Sequence, residues 1–171
     1  MLSQLLSKLS QTISPTKSEQ TSSELSQSSA SLPAPSPELL SKPRLTTSMD
    51  WSLYPNFSED EFKCKHCGKV QMNPTFIHRL QTLRNLYGKP MLITSGYRCP
   101  QHPVEAKKAT PGVHSLGLAA DIGVNGSDAY KILRLSFDVG FTGIGVNQRG
   151  QGRFIHVDSL DAPPRPNIWS Y

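Results

Sequence analysis

The stretch from Ser14 to Ser48 is rich in Ser, Thr, Pro and Gln and holds few residues able to form a core. Whatever this chain folds into must therefore be built from the residues after it. Those number about 120, enough for one domain around a single core and too few for two. The expected organisation is a disordered tail over residues 1–48 and a folded domain over residues 49–171. Charge divides the same way. Residues 1–50 balance Lys8, Lys17, Lys42 and Arg44 against Glu19, Glu24, Glu38 and Asp50, so the formal net charge of +5 belongs to the remainder. A basic domain favours polyanionic surroundings. Its Lys and Arg are scattered, with no run interleaved with aromatics, which argues against nucleic acid and leaves carboxylate- and phosphate-rich cell wall as a fitting environment.

Within the tail, Leu2, Leu5, Leu6, Leu9 and Ile13 recur at spacings of three and four, which would align them on one face of a short helix. Alone in water such a helix is marginal, so it reads either as a frayed end or as a docking helix for a partner or a membrane surface. No run approaches the ~18 apolar residues of a membrane span, and the start shows no apolar h-region of a secretory signal. The expectation is synthesis in the cytoplasm without a signal peptide.

From Trp51 onward the signals alternate between helix and strand. Ser58 and Glu61 have capping-box spacing, predicting a helical turn through Phe62. Asn73 and Pro74 suit the N-cap and first position of a longer helix, with Phe76, Ile77, Leu80, Leu83 and Leu86 on its apolar face and a stop at Gly88 and Pro90. Met91 to Thr94 and Leu118 to Val124 read as strands. Ser127 is positioned to cap a helix to about Asp138, closed by Gly140. Phe141 to Val146 and Phe154 to Val157 read as strands of a hairpin across the turn-rich Asn147 to Arg153. These elements predict an α+β domain, a small, largely antiparallel sheet with flanking helices.

Two segments carry chemistry. His114-Ser115-Leu116-Gly117-Leu118-Ala119-Ala120-Asp121 places a histidine in a loop and an aspartate on the strand after it. Phe154-Ile155-His156-Val157-Asp158 alternates, so His156 and Asp158 project from one strand face. Spacing alone leaves two readings: a buried His and Asp group satisfied by hydrogen bonds, or a zinc ion held by His114, Asp121 and His156 with a fourth position open. A second constellation pairs Cys64-Lys65-His66-Cys67 with Cys99-Pro100-Gln101-His102. Cys64, Cys67, Cys99 and His102 would make a closed structural zinc site. A disulfide from Cys64 or Cys67 to Cys99, or three free thiols, are the other readings, and an odd count leaves at least one thiol over.

The sequence resembles the M15-type zinc peptidases, which include D,D-carboxypeptidases and peptidoglycan endopeptidases of bacteria and phages. The resemblance runs from about Tyr54 to Tyr171 and rests on several parts in family order. They are Phe57 to Phe62, the Thr94-Ser95-Gly96-Tyr97-Arg98 turn, His114 to Asp121, and Gly143-Ile144-Gly145 followed by Phe154 to Asp158. It implies that His114, Asp121 and His156 ligate Zn2+, that Arg98 holds a carboxylate or carbonyl of the substrate, and that peptidoglycan stem peptides are cut. The lack of a signal peptide suggests delivery to the bacterial cell wall by other means, which a phage origin would supply through release at lysis or carriage on the virion, with the tail as an anchor to a phage structural protein. One departure matters. Where the family commonly carries a general base, three or two positions before the last histidine, this chain has Arg153 and Phe154. Asp158 is the nearest substitute, either as the base or as a carboxylate orienting a ligand. The missing base motivates a rival expectation, a non-catalytic zinc-containing wall-binding or virion module.

Overall fold

The computed structural model of the chain describes residues 49–171. The expected disordered tail and its leucine-faced docking helix lie outside the described residues. The domain runs α1 (Glu59–Phe62), α2 (Pro74–Tyr87), β1 (Leu92–Ser95), a 3-10 turn over Val113–Leu116, β2 (Ala119–Gly123), α3 (Gly126–Val139), β3 (Gly143–Asn147), β4 (Phe154–Asp158) and β5 (Asn167–Ser170). This is the expected α+β class. No described helix is long and apolar enough to cross a membrane.

The local signals account for most of the boundaries. Glu61 reaches back to the Ser58 amide at 2.7 Å and closes the capping box of α1. Asn73 accepts from the amides of Thr75 and Phe76, with Pro74 as the first residue of α2, where its missing N–H leaves nothing unsatisfied. Phe76, Ile77, Leu80, Leu83 and Tyr87 turn inward. Leu86, expected on that face, is 53% exposed: Tyr87, four residues past Leu83, continues the stripe instead. The N-cap of α3 is Asn125 rather than Ser127, which lies inside the first turn. The third strand starts at Gly143, because the Phe141 amide is taken by the Ser136 carbonyl at the end of α3.

The sheet order is β1-β2-β4-β3-β5. The first three pairings are antiparallel, whereas β5 joins β3 in parallel. On one face, Ala120, Ile122, Ile144, Ile155 and Val157 enter the core with Phe76, Ile77, Leu80, Leu83 and Ile132 from α2 and α3. Alternation sends Asp121, Gly145, His156 and Asp158 to the other face. Register then lines up one row across the sheet: Asp121 is opposite His156, His156 opposite Gly145, and Gly145 opposite Trp169. The helical layer supplies the apolar burial that holds this row in place.

Candidate metal centre

Asp121 and His156 meet because they are direct cross-strand partners on β2 and β4. His114 joins them from the 3-10 turn just before β2, a more ordered setting than the loop its sequence suggested. His156 Nδ1 lies 2.8 Å from Asp121 Oδ1, His114 Nε2 lies 3.2 Å from His156 Nδ1, and His114 Nε2 lies 3.3 Å from Asp121 Oδ1. Ligand atoms at about 2.0–2.1 Å from a tetrahedral metal are roughly 3.3 Å apart. The triangle fits one ion of that size, and all three side chains are buried.

The outer atom of each side chain is engaged in turn. His114 Nδ1 is 2.7 Å from the Gly96 carbonyl, which only accepts, so Nδ1 carries the proton and Nε2 presents a bare lone pair to the other two. His156 Nε2 donates to Asp158 Oδ2 at 3.2 Å. The outer oxygen of Asp121, Oδ2, accepts from Arg98 Nη2. Converging acceptors of this kind call for a cation between them, and partners on the far side fix ring tautomer and orientation.

Electrostatics agree with a cation-ready site. Burial pushes His114 below the ordinary histidine range. Burial would also lower His156, but Asp121 and Asp158 outweigh it and raise the imidazole. Burial would raise the Asp121 carboxyl, yet the close approach of the two imidazoles holds it far below the usual carboxylate range. It stays anionic.

Asp158 shares the His156 face of β4, as strand alternation requires, but sits on the far side of the ring from the converging atoms. Arg165 grips it through Nε to Oδ1 at 3.0 Å and Nη2 to Oδ2 at 2.6 Å. The Leu160 amide adds a bond at 3.2 Å. Burial opposes its ionisation, but His156 and Arg165 bring its carboxyl down to about 2. Gly143 makes this possible: a Cβ there would overlap both the Asp158 carboxylate and the Arg165 guanidinium. Gly145 has the matching role one row over, where a Cβ would come within 2.8 Å of Trp169 and Tyr171. Trp169 lies 5.2 Å from the His156 ring, centre to centre, and 4.8 Å from the Arg165 guanidinium.

Arg98 lies beside the centre with its side chain 16% exposed. Besides Asp121 it donates from Nε to Ser95 Oγ at 2.9 Å, and its Nη1 approaches Glu105 Oε1 at 3.6 Å. Glu105, another acid near this loop, is buried and held by Lys108 Nζ at 2.9 Å and the Gly112 amide at 2.6 Å. The sequence reading missed Arg165, Trp169 and the strand that carries Trp169. The Gly-x-Gly pair on β3 was the available signal, since it empties two sites opposite His156 and Asp158.

The second constellation assembles in part. Cys64, Cys67 and Cys99 bring their sulfurs within 4.8 Å of one another, and all three are free thiols. His102, expected as their fourth member, is not part of that cluster, and its Nδ1 accepts from the Val104 amide at 3.2 Å. The imidazole beside the thiols belongs to His66, whose Nδ1 is 3.3 Å from Cys99 Sγ.

Comparison with known proteins bears on the main centre. A model of the peptidase M15 family matches residues 55–158, a span that contains Arg98, His114, Asp121, His156 and Asp158 and ends before β5. No individually curated protein matches the chain.

Proposed function

The chain belongs to the peptidase M15 family and is a metallopeptidase of that family, and from that premise we propose that its metal is zinc and its substrate the D-amino-acid-containing stem or cross-link peptide of peptidoglycan. The observation that carries the reading is the convergence of His114 Nε2, Asp121 Oδ1 and His156 Nδ1 with every outer atom already bonded. Two neutral nitrogens and one carboxylate suit zinc and leave a coordination position open. The +5 charge, carried by the folded domain, suits an anionic wall.

Bound there, zinc would supply Lewis acidity, acidifying water and polarising the scissile carbonyl. The protein's own groups prepare for this. Gly96 fixes the His114 tautomer, Asp158 fixes that of His156, and Arg98 holds Asp121 with one oxygen turned inward. Arg98 has guanidinium donors beyond those given to Ser95 and Asp121, and these suit a substrate carboxylate or carbonyl. Asp158 acts as a positioning residue, since its oxygens are committed to His156, Arg165 and Leu160. Trp169 packs beside the His156 ring and Tyr171 packs against Trp169. Delivery by a virion, with residues 1–48 as the anchor, belongs to the same reading and is supported by the leucine spacing at the N-terminus alone.

The test is direct. Zinc-loaded protein is incubated with purified peptidoglycan and with soluble stem peptides, and the products are weighed by mass spectrometry. The expected result is one new amine and one new carboxylate at a bond next to a D-residue, abolished by His114→Ala. Intact substrate in every preparation, with zinc still bound, would overturn the substrate assignment.

A further inference from the structure

The three thiols lie away from the peptidase centre, and nothing in the chemistry above uses them. Cys64 and Cys67 stand on a tight turn after α1. The Cys64 amide donates to the Lys69 carbonyl and the Gly68 amide to the Cys64 carbonyl, each at 2.8 Å, while Gly68 takes a φ of +69° that suits glycine. The turn folds the backbone around the Cys64 sulfur, which accepts from the Cys99 amide at 3.3 Å. Backbone donors aimed at sulfur favour the thiolate, the form that binds metal.

Two simpler readings fit less well. A disulfide joins two sulfurs at about 2.05 Å and leaves the third without a purpose, whereas here all three converge and none is bonded to another. Inert thiols would not explain the imidazole of His66 at 3.3 Å from Cys99 Sγ. Sulfurs around one tetrahedral zinc, at about 2.3 Å each, lie roughly 3.8 Å apart, within the 4.8 Å spread observed.

We propose that Cys64, Cys67 and Cys99 form a structural zinc site separate from the peptidase centre, with His66, which touches Cys99 Sγ but stands outside the three-sulfur cluster, as the nearest imidazole to close it. Its place in the fold gives it a task. Cys99 directly follows Arg98, so a metal there ties the turn after α1 to the segment that presents Arg98 to Asp121. The loop from Cys64 to Cys99, a sequence separation of 35, would be closed by a cross-link that survives in reducing surroundings. Metal-ligating thiols release their protons to solvent, so binding weakens as the pH falls.

The full chain, reduced and stripped of metal, is titrated with Co2+ and followed by absorption. Thiolate-to-cobalt charge transfer is expected at one equivalent. His114, Asp121 and His156 contain no sulfur and cannot produce that band, so this result is independent of the peptidase reading. Cys67→Ser should weaken the band, and His66→Ala should lower zinc affinity by at least about tenfold, the least that loss of a mere orienting partner gives. His102→Ala should leave affinity unchanged. Absence of the band in the unmodified protein, with three thiols still titratable or two found as a disulfide, would overturn the site. A loss with His102→Ala and none with His66→Ala would overturn the assignment of its fourth ligand.

Discussion

Replacing Asp158 by Asn separates two roles that predict different losses. The carboxylate is fully buried and bonds to His156, three times to Arg165, and to the Leu160 amide. An amide of the same shape keeps one acceptor but turns N–H hydrogens toward Arg165 or His156, both donors. Removing one partner of a buried pair costs about 3–5 kcal/mol, and the low end applies because one oxygen remains. At ~4 °C per kcal/mol for a domain of about 120 residues, the melting temperature should fall by about 12 °C. His156 also loses the group that orients it, which should weaken zinc by ~10- to 100-fold, or about 1.4–2.7 kcal/mol. Calorimetry, a zinc competition titration and turnover at rising zinc form the assay. A positioning role predicts that excess zinc restores most of the activity. A base would instead lose ~10²- to 10⁴-fold in turnover at full zinc occupancy, with affinity and melting temperature unchanged, and that outcome would refute the reasoning from geometry.

Gly143→Ala should reproduce the Asp158→Asn phenotype without removing a polar group, because its Cβ would overlap the Asp158–Arg165 pair; unchanged zinc affinity and stability would show that the pair is not needed. Acidification should release the metal: His156 is raised above the usual histidine value in the metal-free protein, so below that point each ion displaces a proton, and affinity should fall roughly tenfold per pH unit. Competition titrations between about pH 7 and pH 5 check the sign, and a flat profile would contradict it. Removal of residues 1–48 should leave cleavage of soluble stem peptide within about twofold, since every residue of the centre lies beyond them; loss of folding in the truncated chain would show that the domain begins earlier.

Much of the centre was legible before any coordinates. Alternation in Phe154 to Asp158 sets which side chains share a face, and capping residues at Ser58 and Asn73 fix where helices begin, because both are local effects of backbone geometry. Register is not local. That Asp121 falls opposite His156, and Gly145 opposite Trp169, depends on pairing between distant strands, so the role of the two glycines on β3 emerged only with the fold. Strand β5 escaped because Asn167–Ser170 is short and mostly exposed, with no apolar alternation to mark it. His66 was missed as a partner of the thiols: it lies inside the Cys64-Lys65-His66-Cys67 turn, and the interval alone does not show that the turn carries its ring to Cys99. Asp158 was placed on the correct face, but only the position of Arg165 showed how its oxygens are occupied.

The central claim is that one zinc ion sits among His114, Asp121 and His156. Crystals of the full chain grown with zinc, measured on both sides of the zinc absorption edge, test it most directly. The account predicts an anomalous peak about 2.0–2.2 Å from His114 Nε2, Asp121 Oδ1 and His156 Nδ1, with His156 Nε2 still bonded to Asp158. No peak there at full zinc occupancy elsewhere, the three side chains instead closed on each other through a shared proton, would contradict it.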